Sequence, residues 1–208
     1  MDIILAIIIG YLLGNINAAY ILGKIFKGID IREKGTANAG ASNAVIVMGW
    51  KYGIATFLID ALKAAIAVWI VKYITNGNTD LAVLAGVMAI VGHIYPVFMK
   101  FKGGKGIASI LGLMIGINGF IAIVLYITIV LGTIISNYLI FGEFLILILF
   151  PASVYLLGYS NFTLVLIILA CLLSTYKLRE NIVRTFKGTE QTLSSVLFKK
   201  NSFKKEKL

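Results

Sequence analysis

The chain has 208 residues, 60% of them hydrophobic and 13% charged, with a mean hydropathy of +0.96, a balance that excludes an ordinary water-soluble domain. Its net charge of +10 comes from bases in loops and tail beside apolar runs, which argues against a nucleic-acid groove and for lipid headgroups and phosphorylated ligands as partners. The lone cysteine, Cys171, excludes an intramolecular disulfide, a thiolate metal cluster and a paired redox motif.

Apolar stretches cover about Ile3–Gly23, Gly53–Ile74, Leu81–Met99 and a nearly unbroken block from Ile107 to Tyr176, each long enough to cross a bilayer. The first is expected to be a mature span, because Met1-Asp2 lacks a basic leader and Asn15 and Asn17 interrupt the run. Between the runs, Lys24–Asn43 carries Lys24, Lys27, Arg32 and Lys34. Lys100–Gly106 carries Lys100, Lys102 and Lys105, and nine more bases follow Tyr176. Thr75–Asp80 has none, so the positive-inside rule places it and the N-terminus outside, and the basic segments in the cytoplasm.

Parity then requires an even number of crossings between Gly106 and Lys177. Four fit if the chain turns near Asn118-Gly119, Ser136-Asn137 and Gly158–Asn161. The sequence therefore predicts an all-α, polytopic helix bundle of about seven transmembrane helices, with the N-terminus outside and the C-terminus cytoplasmic. Ile107–Ile117 is short, about 16 Å at the helical rise, and reads as either a short crossing or a half-helix buried among its neighbours. One integral-membrane domain is expected over residues 1–197, with a basic cytoplasmic tail over 198–208.

Three polar segments have the chemistry of a phosphate site. Gly35–Asn43 strings together small and hydrogen-bonding residues ahead of an apolar segment, as a backbone anion cradle would; a plain small-residue turn with an Asn cap is the alternative. Lys102-Gly103-Gly104-Lys105-Gly106 lets backbone approach a phosphate between two ammonium groups, or else its lysines simply reach for the interface. It lacks Walker spacing, which argues against nucleotide hydrolysis. Where the last span ends, Lys177, Asn181 and Arg184 share a helical face, as they would in a simple stop-transfer cluster too. Within the spans, Asp60 and Lys63 lie on one face and are expected to pair or to face a polar cavity. Glu143 is expected near a helix end, and Asn15 and Asn17 as interhelical glue.

These motifs, in this order, resemble the bacterial acyl-phosphate:glycerol-3-phosphate acyltransferases, the PlsY family. The resemblance runs through Gly23-Lys24, Asp30-Ile31-Arg32, Gly35–Asn43, Asp60 with Lys63, Gly92-His93 with Pro96 and Phe98, Phe101–Gly106, Arg179, Asn181-Ile182, Arg184 and Lys187–Glu190. It implies a multi-pass enzyme of the bacterial inner membrane whose site faces the cytoplasm. The reaction would move a fatty acyl group from acyl phosphate to sn-glycerol 3-phosphate and yield lysophosphatidic acid for phospholipid synthesis. Thr36, Lys105 and Asn181 would be its catalytic residues. Asn38, Gly40, Asn43, His93, Lys102, Gly103, Gly104, Arg184 and Glu190 would bind substrate.

The chain departs from the family pattern at several points. Gly-Ser-Gly-Asn is Gly35-Thr36-Ala37-Asn38, and Ala37 does not freely adopt positive φ. A family arginine becomes Ile46, a family histidine becomes Leu178, and Gly-Ser-Ile-Pro becomes Gly14-Asn15-Ile16-Asn17. A divergent paralogue with another substrate or no catalysis, or a small phosphate- or lipid-binding transporter, is the competing expectation.

An acyl phosphate is already activated, so the protein has mainly to align the acceptor hydroxyl and stabilise charge on the departing phosphate. No cofactor is expected, and one histidine with few cytosolic carboxylates does not make a usual metal ligand set. Phe98 stands where an H-x-x-x-x-D acyl-CoA enzyme would need its acid, leaving His93 as either a base or a structural helix-end residue.

Overall fold

A computed structural model describes residues 2–197 of the chain; the basic tail expected at 198–208 lies outside the described residues. The described chain is helical. The first apolar run is not one uninterrupted helix, because it divides into α1 (Asp2–Gly14) and α2 (Ala18–Lys27). The break falls at Asn15-Ile16-Asn17, where Asn17 caps α2 by accepting from the Tyr20 amide, and Gly28 closes α2 in the left-handed region.

A short α3 (Ala41–Met48) is separated from α4 (Trp50–Ile74) by Gly49 at φ 97°, a conformation that suits glycine. Then come α5 (Thr79–Ile94), α6 (Ile107–Ile117), α7 (Gly119–Ser136), α8 (Leu139–Leu156), α9 (Asn161–Phe186) and a last turn, α10 (Leu193–Leu197). The three turns expected inside the long apolar block fall where the sequence places them. Asn78, Asn118 and Ser160 supply the side-chain caps that start α5, α7 and α9.

By length and composition, six segments among the described residues suit membrane crossing: Asp2–Lys27, Trp50–Ile74, Thr79–Met99, Gly119–Ser136, Leu139–Leu156 and Asn161–Phe186. α6 is the short apolar helix. Its Ile110, Leu113 and Met114 are fully buried, whereas α7 exposes Ile123, Ile127 and Ile134 as a lipid-facing helix does.

Small residues set the closest helix approaches. Gly10 and Gly14 of α1 lie against the backbone of Ala85 and Ala89 on α5, and Gly112 of α6 lies against the Ala61 carbonyl on α4; a Cβ at any of the three would collide. The opposite ends of the bundle are tied separately. Asp80 accepts hydrogen bonds from the hydroxyls of Ser160 and Thr163, joining the starts of α5 and α9. At the other end the turn at Asn137 accepts from the amides of Leu193 (2.8 Å) and Ser194 (2.9 Å).

Candidate functional site

The segment between α2 and α3 is organised by a buried amide. Asn43 is fully buried; the two N–H bonds of its side chain are shared among the carbonyls of Ile31 (3.0 Å), Lys34 (3.1 Å) and Asn38 (2.9 Å), and its oxygen accepts from the Thr36 amide at 2.8 Å. Asn17 adds a bond to the Ala39 carbonyl, so the break after α1 also anchors this loop. Ala37 is held at φ 56°, a left-handed conformation that costs a non-glycine residue about 1–2 kcal/mol. The loop is fastened to the next one by Arg32, which forks onto Asp30 (Nε–Oδ1 3.0 Å, Nη2–Oδ2 2.6 Å) and donates to the Met99 carbonyl at 2.7 Å. This guanidinium holds the Asp30 carboxyl below the usual carboxylate range, and Asp30 in turn raises the pKa of Arg32.

The segment after α5 is pinned on both sides. Asn15 Oδ1 accepts from the Val97 amide at 2.7 Å, and Tyr11 donates its hydroxyl to the Tyr95 carbonyl at 3.0 Å. The amides of Gly103 and Gly104 donate to the carbonyls of Ile94 and His93, each at 3.1 Å. A Cβ at either glycine would strike the end of α5, so their smallness lets the loop fold back on that helix. Those two N–H groups are therefore engaged within the protein, and it is the lysine side chains that reach outward. Lys100 and Phe101 both take left-handed φ, 55° and 59°, which turns the chain between them and the glycines.

The third contribution is the end of α9. Asn181 Nδ2 donates to Glu190 Oε1 at 3.0 Å and Arg184 Nε to Glu190 Oε2 at 2.7 Å, so Glu190 brackets both. One turn earlier Lys177 lies 5.4 Å from the centre of the Tyr95 ring, while Leu178 points into the core, fully buried.

These three segments enclose a polar bowl of about 560 Å³. Seven cationic side chains line it (Arg32, Lys100, Lys102, Lys105, Lys177, Arg179 and Arg184) against three carboxylates, Asp30, Glu33 and Glu180. Thr36, Asn38 and Asn181 supply its neutral hydrogen-bonding groups. Such a surplus of positive charge around a concave site selects anions.

A narrower, mostly apolar slot of about 120 Å³ adjoins it, walled by Phe57, Ile107, Leu111, Tyr126, Ile129 and Leu139, with the polar residues Asp60, His93 and Glu143. The rings of Phe57 and Tyr126 stand 6.1 Å apart across α4 and α7. Asn38 and Lys105 line both spaces. The starts of α3 and α6, at Gly40 and Gly106, have no side-chain cap and face the slot, so their free N–H groups and helix dipoles favour negative charge there.

Of the residues singled out in the sequence, Thr36, Asn38, Lys102, Gly103, Lys105, Asn181 and Arg184 meet in the bowl, and Gly40 and His93 in the slot. Asn43, Gly104 and Glu190 line neither, and their polar groups are committed to holding the loops. Glu143 sits one turn inside α8, buried in the slot wall and not at a helix end. Asn15 and Asn17 are not the interhelical glue expected: outside their own helices they bond the loop segments at Val97 and Ala39. Ile46 of α3 lies outside the bowl lining, so no guanidinium reaches in from there.

Three features escaped the sequence reading. Arg32 is the loop-to-loop fastener, Ala41 and Ser42 open α3 onto the slot, and Lys63 joins His93 as well as Asp60. The i,i+3 pair of buried ions was visible, but the position of the lone histidine relative to it depends on how α4 and α5 cross.

Known proteins share this arrangement. A family model described as glycerol-3-phosphate acyltransferase matches residues 4–188. Glycerol-3-phosphate acyltransferase 1 of Oceanobacillus iheyensis is 38% identical over 97% of this chain and all of its own length. A glycerol-3-phosphate acyltransferase of Thermoanaerobacter pseudethanolicus is 38% identical over 93% of this chain and 96% of its own. Among solved structures, the crystal structure of PlsY, an integral membrane glycerol 3-phosphate acyltransferase, in its glycerol 3-phosphate form superposes with a TM-score of 0.89 at 30% identity over 95% of this chain and all of that one. Its lysophosphatidic acid form gives 0.86. The motif order, the helical architecture and these likenesses agree: the chain belongs to the glycerol-3-phosphate acyltransferase family.

Proposed function

We propose that this protein transfers a fatty acyl group from acyl phosphate to sn-glycerol 3-phosphate, releasing inorganic phosphate and lysophosphatidic acid. The observation that carries the reading is the junction at Asn38 and Lys105, the two residues that line both a cation-rich bowl and a mostly apolar slot. Both substrates bear phosphate, and one also bears a hydrocarbon tail. The slot suits the acyl chain, and the junction is where its mixed anhydride would meet the acceptor hydroxyl.

Aligned there, the glycerol hydroxyl oxygen bonds to the carbonyl carbon and the C–O bond to phosphate breaks. Lys105 and the uncapped starts of α3 and α6 counter charge on the departing phosphate. Thr36, Asn38 and Asn181 orient the acceptor, with Lys102 and Arg184 drawing in its phosphate. Asn43 and Glu190 are positioning residues, through the loop and the α9 bracket respectively. The site favours catalysis over carriage, because its polar groups collect at one end of the bundle whereas alternating access needs a pathway to both sides.

We read the chain as a single integral-membrane domain crossing the inner membrane seven times. The turn at Asn137 bonds the segment after α9, on the bowl side, and Asp80 ties the start of α5 to the start of α9 at the far side. α6 then leads from the bowl side to the far side despite its length. The cations of the bowl, under the positive-inside rule, support a cytoplasmic bowl side and an N-terminus outside. Lipids are the remaining partners, and the reading requires no cofactor.

The test is product formation by purified protein in detergent from radiolabelled glycerol 3-phosphate and palmitoyl phosphate. Label in lysophosphatidate is the expected outcome. No product, together with glycerol 3-phosphate counterflow in liposomes, would establish a carrier instead.

A further inference from the structure

His93, at the end of α5, is 2% exposed, and its Nδ1 lies 2.9 Å from Lys63 Nζ. The same ammonium is 2.6 Å from the Ile16 carbonyl oxygen and 2.8 Å from Asp60 Oδ1. An ammonium has three N–H bonds, and here it meets three acceptors. The Ile16 carbonyl is available because the helix is interrupted between α1 and α2, and Asp60 supplies the counter-charge that a buried lysine requires.

Nδ1 also lies 3.4 Å from Asp60 Oδ1, but Lys63 Nζ is nearer at 2.9 Å; with Lys63 donating, Nδ1 accepts, and the single proton of the neutral ring resides on Nε2. Nε2 finds no hydrogen-bond partner among the described residues. It lies against Gly104, where any Cβ would press on it, and His93 belongs to the slot wall together with Asn38 and Lys105. An N–H at the slot wall with no protein partner is open to an acceptor supplied by a ligand. The other charged groups of that wall, Asp60, Lys105 and Glu143, leave the carbonyl oxygen of a bound acyl group as the neutral acceptor suited to it.

Resting on the acyl-transfer reading above, we infer that His93 is a hydrogen-bond donor to the acyl carbonyl oxygen, fixed in that tautomer by Lys63, and not a general base. As the hydroxyl oxygen adds to the carbonyl carbon, negative charge gathers on the carbonyl oxygen, where Nε2–H stabilises it. When the C–O bond to phosphate breaks, the charge returns to the carbonyl, and the hydroxyl proton leaves with the phosphate. His93 keeps its own proton throughout.

His93 is the sole histidine of the chain, so ring-15N labelling reports on it alone. At neutral pH the expected NMR spectrum has a protonated Nε2 and a bare Nδ1. A bare Nε2, or a doubly protonated ring, would overturn the inference whatever the enzyme turns over.

The kinetic arm compares His93→Gln, whose terminal amide carries an N–H to the place of Nε2, with His93→Asn, which keeps an acceptor for Lys63 but is too short to reach the slot. His93→Gln is expected within about tenfold of wild type. His93→Asn should lose about 10²–10³ in kcat, the usual effect of removing one such donor, with the KM for glycerol 3-phosphate unchanged. Equal activity of the two variants, or an acid limb in the wild-type kcat profile that vanishes in His93→Gln, would refute the donor role. If wild-type protein makes no lysophosphatidate, the functional reading fails while the tautomer measurement still stands on its own.

Discussion

Lys105 is the one cation, among the described residues, that lines both bowl and slot, which makes Lys105→Ala the most informative single perturbation of the site. Two unit charges at about 4 Å in an effective dielectric of about 20 attract by about 4 kcal/mol. Lys105 is half-buried, and six other cations surround the bowl, so part of that attraction is replaced when it is lost. A net loss of about 3 kcal/mol in transition-state stabilisation remains, or roughly 10²-fold in kcat/KM.

Lys102 is exposed, lines only the bowl and is screened by water, so Lys102→Ala should cost about tenfold or less, chiefly in KM for glycerol 3-phosphate. The assay is initial-rate release of inorganic phosphate from palmitoyl phosphate in the presence of glycerol 3-phosphate, on variants whose thermal melting matches wild type. Lys105→Ala within threefold of wild type, or Lys102→Ala as impaired as Lys105→Ala, would refute the claim that the reaction is centred on the junction.

Relief of the left-handed φ at Ala37 offsets the extra unfolded-state freedom of glycine, so Ala37→Gly is expected to raise the melting temperature by about 2 °C. A lower melting temperature would show that the loop is not strained there. Because Asp30 has a lowered pKa in the fold, its contribution is complete above the ordinary carboxylate pKa and disappears as pH falls through the lower folded value. Asp30→Asn should therefore melt lower than wild type at pH 7, by about 2–4 °C if about 1 kcal/mol is lost, and converge with it at strongly acidic pH. A constant difference across pH would remove the ion pair from the explanation. Glu190→Ala frees Asn181 and Arg184 from their bracket and should raise KM for glycerol 3-phosphate several-fold with kcat little changed; an unaltered KM would show that the bracket does not position them.

Much of the architecture was legible because membrane burial imposes a coarse code. Twenty apolar residues mark a crossing, and Asn118-Gly119, Ser136-Asn137 and Gly158–Asn161 pair polar residues with turn formers at helix-length intervals in a long apolar block, so α6 to α9 emerged with nearly correct limits. The interruption at Asn15–Asn17 was visible only as two polar residues. Its use, freeing the Ile16 carbonyl for Lys63 and aiming two asparagines at loops, depends on contacts with residues far along the chain.

The polar motifs pointed to phosphate chemistry through residue type alone, and Thr36, Lys105 and Asn181 do line one bowl. Which polar atoms remain free to meet a ligand could not be read that way. Asn43 and the amides of Gly103 and Gly104 look like ligand groups in sequence, yet they are hydrogen-bonded within the protein. The slot is built from six helices that each contribute one or a few side chains, a pattern with no local signature.

The central claim is that one fused site passes an activated acyl group from phosphate to an alcohol. Its most direct test offers the purified wild-type protein palmitoyl phosphate and, separately, palmitoyl-CoA, each with glycerol 3-phosphate, and counts inorganic phosphate and lysophosphatidate. The account predicts turnover with palmitoyl phosphate alone, one phosphate released for each lysophosphatidate formed. Turnover with palmitoyl-CoA at a comparable rate, or phosphate release without lysophosphatidate, would contradict it.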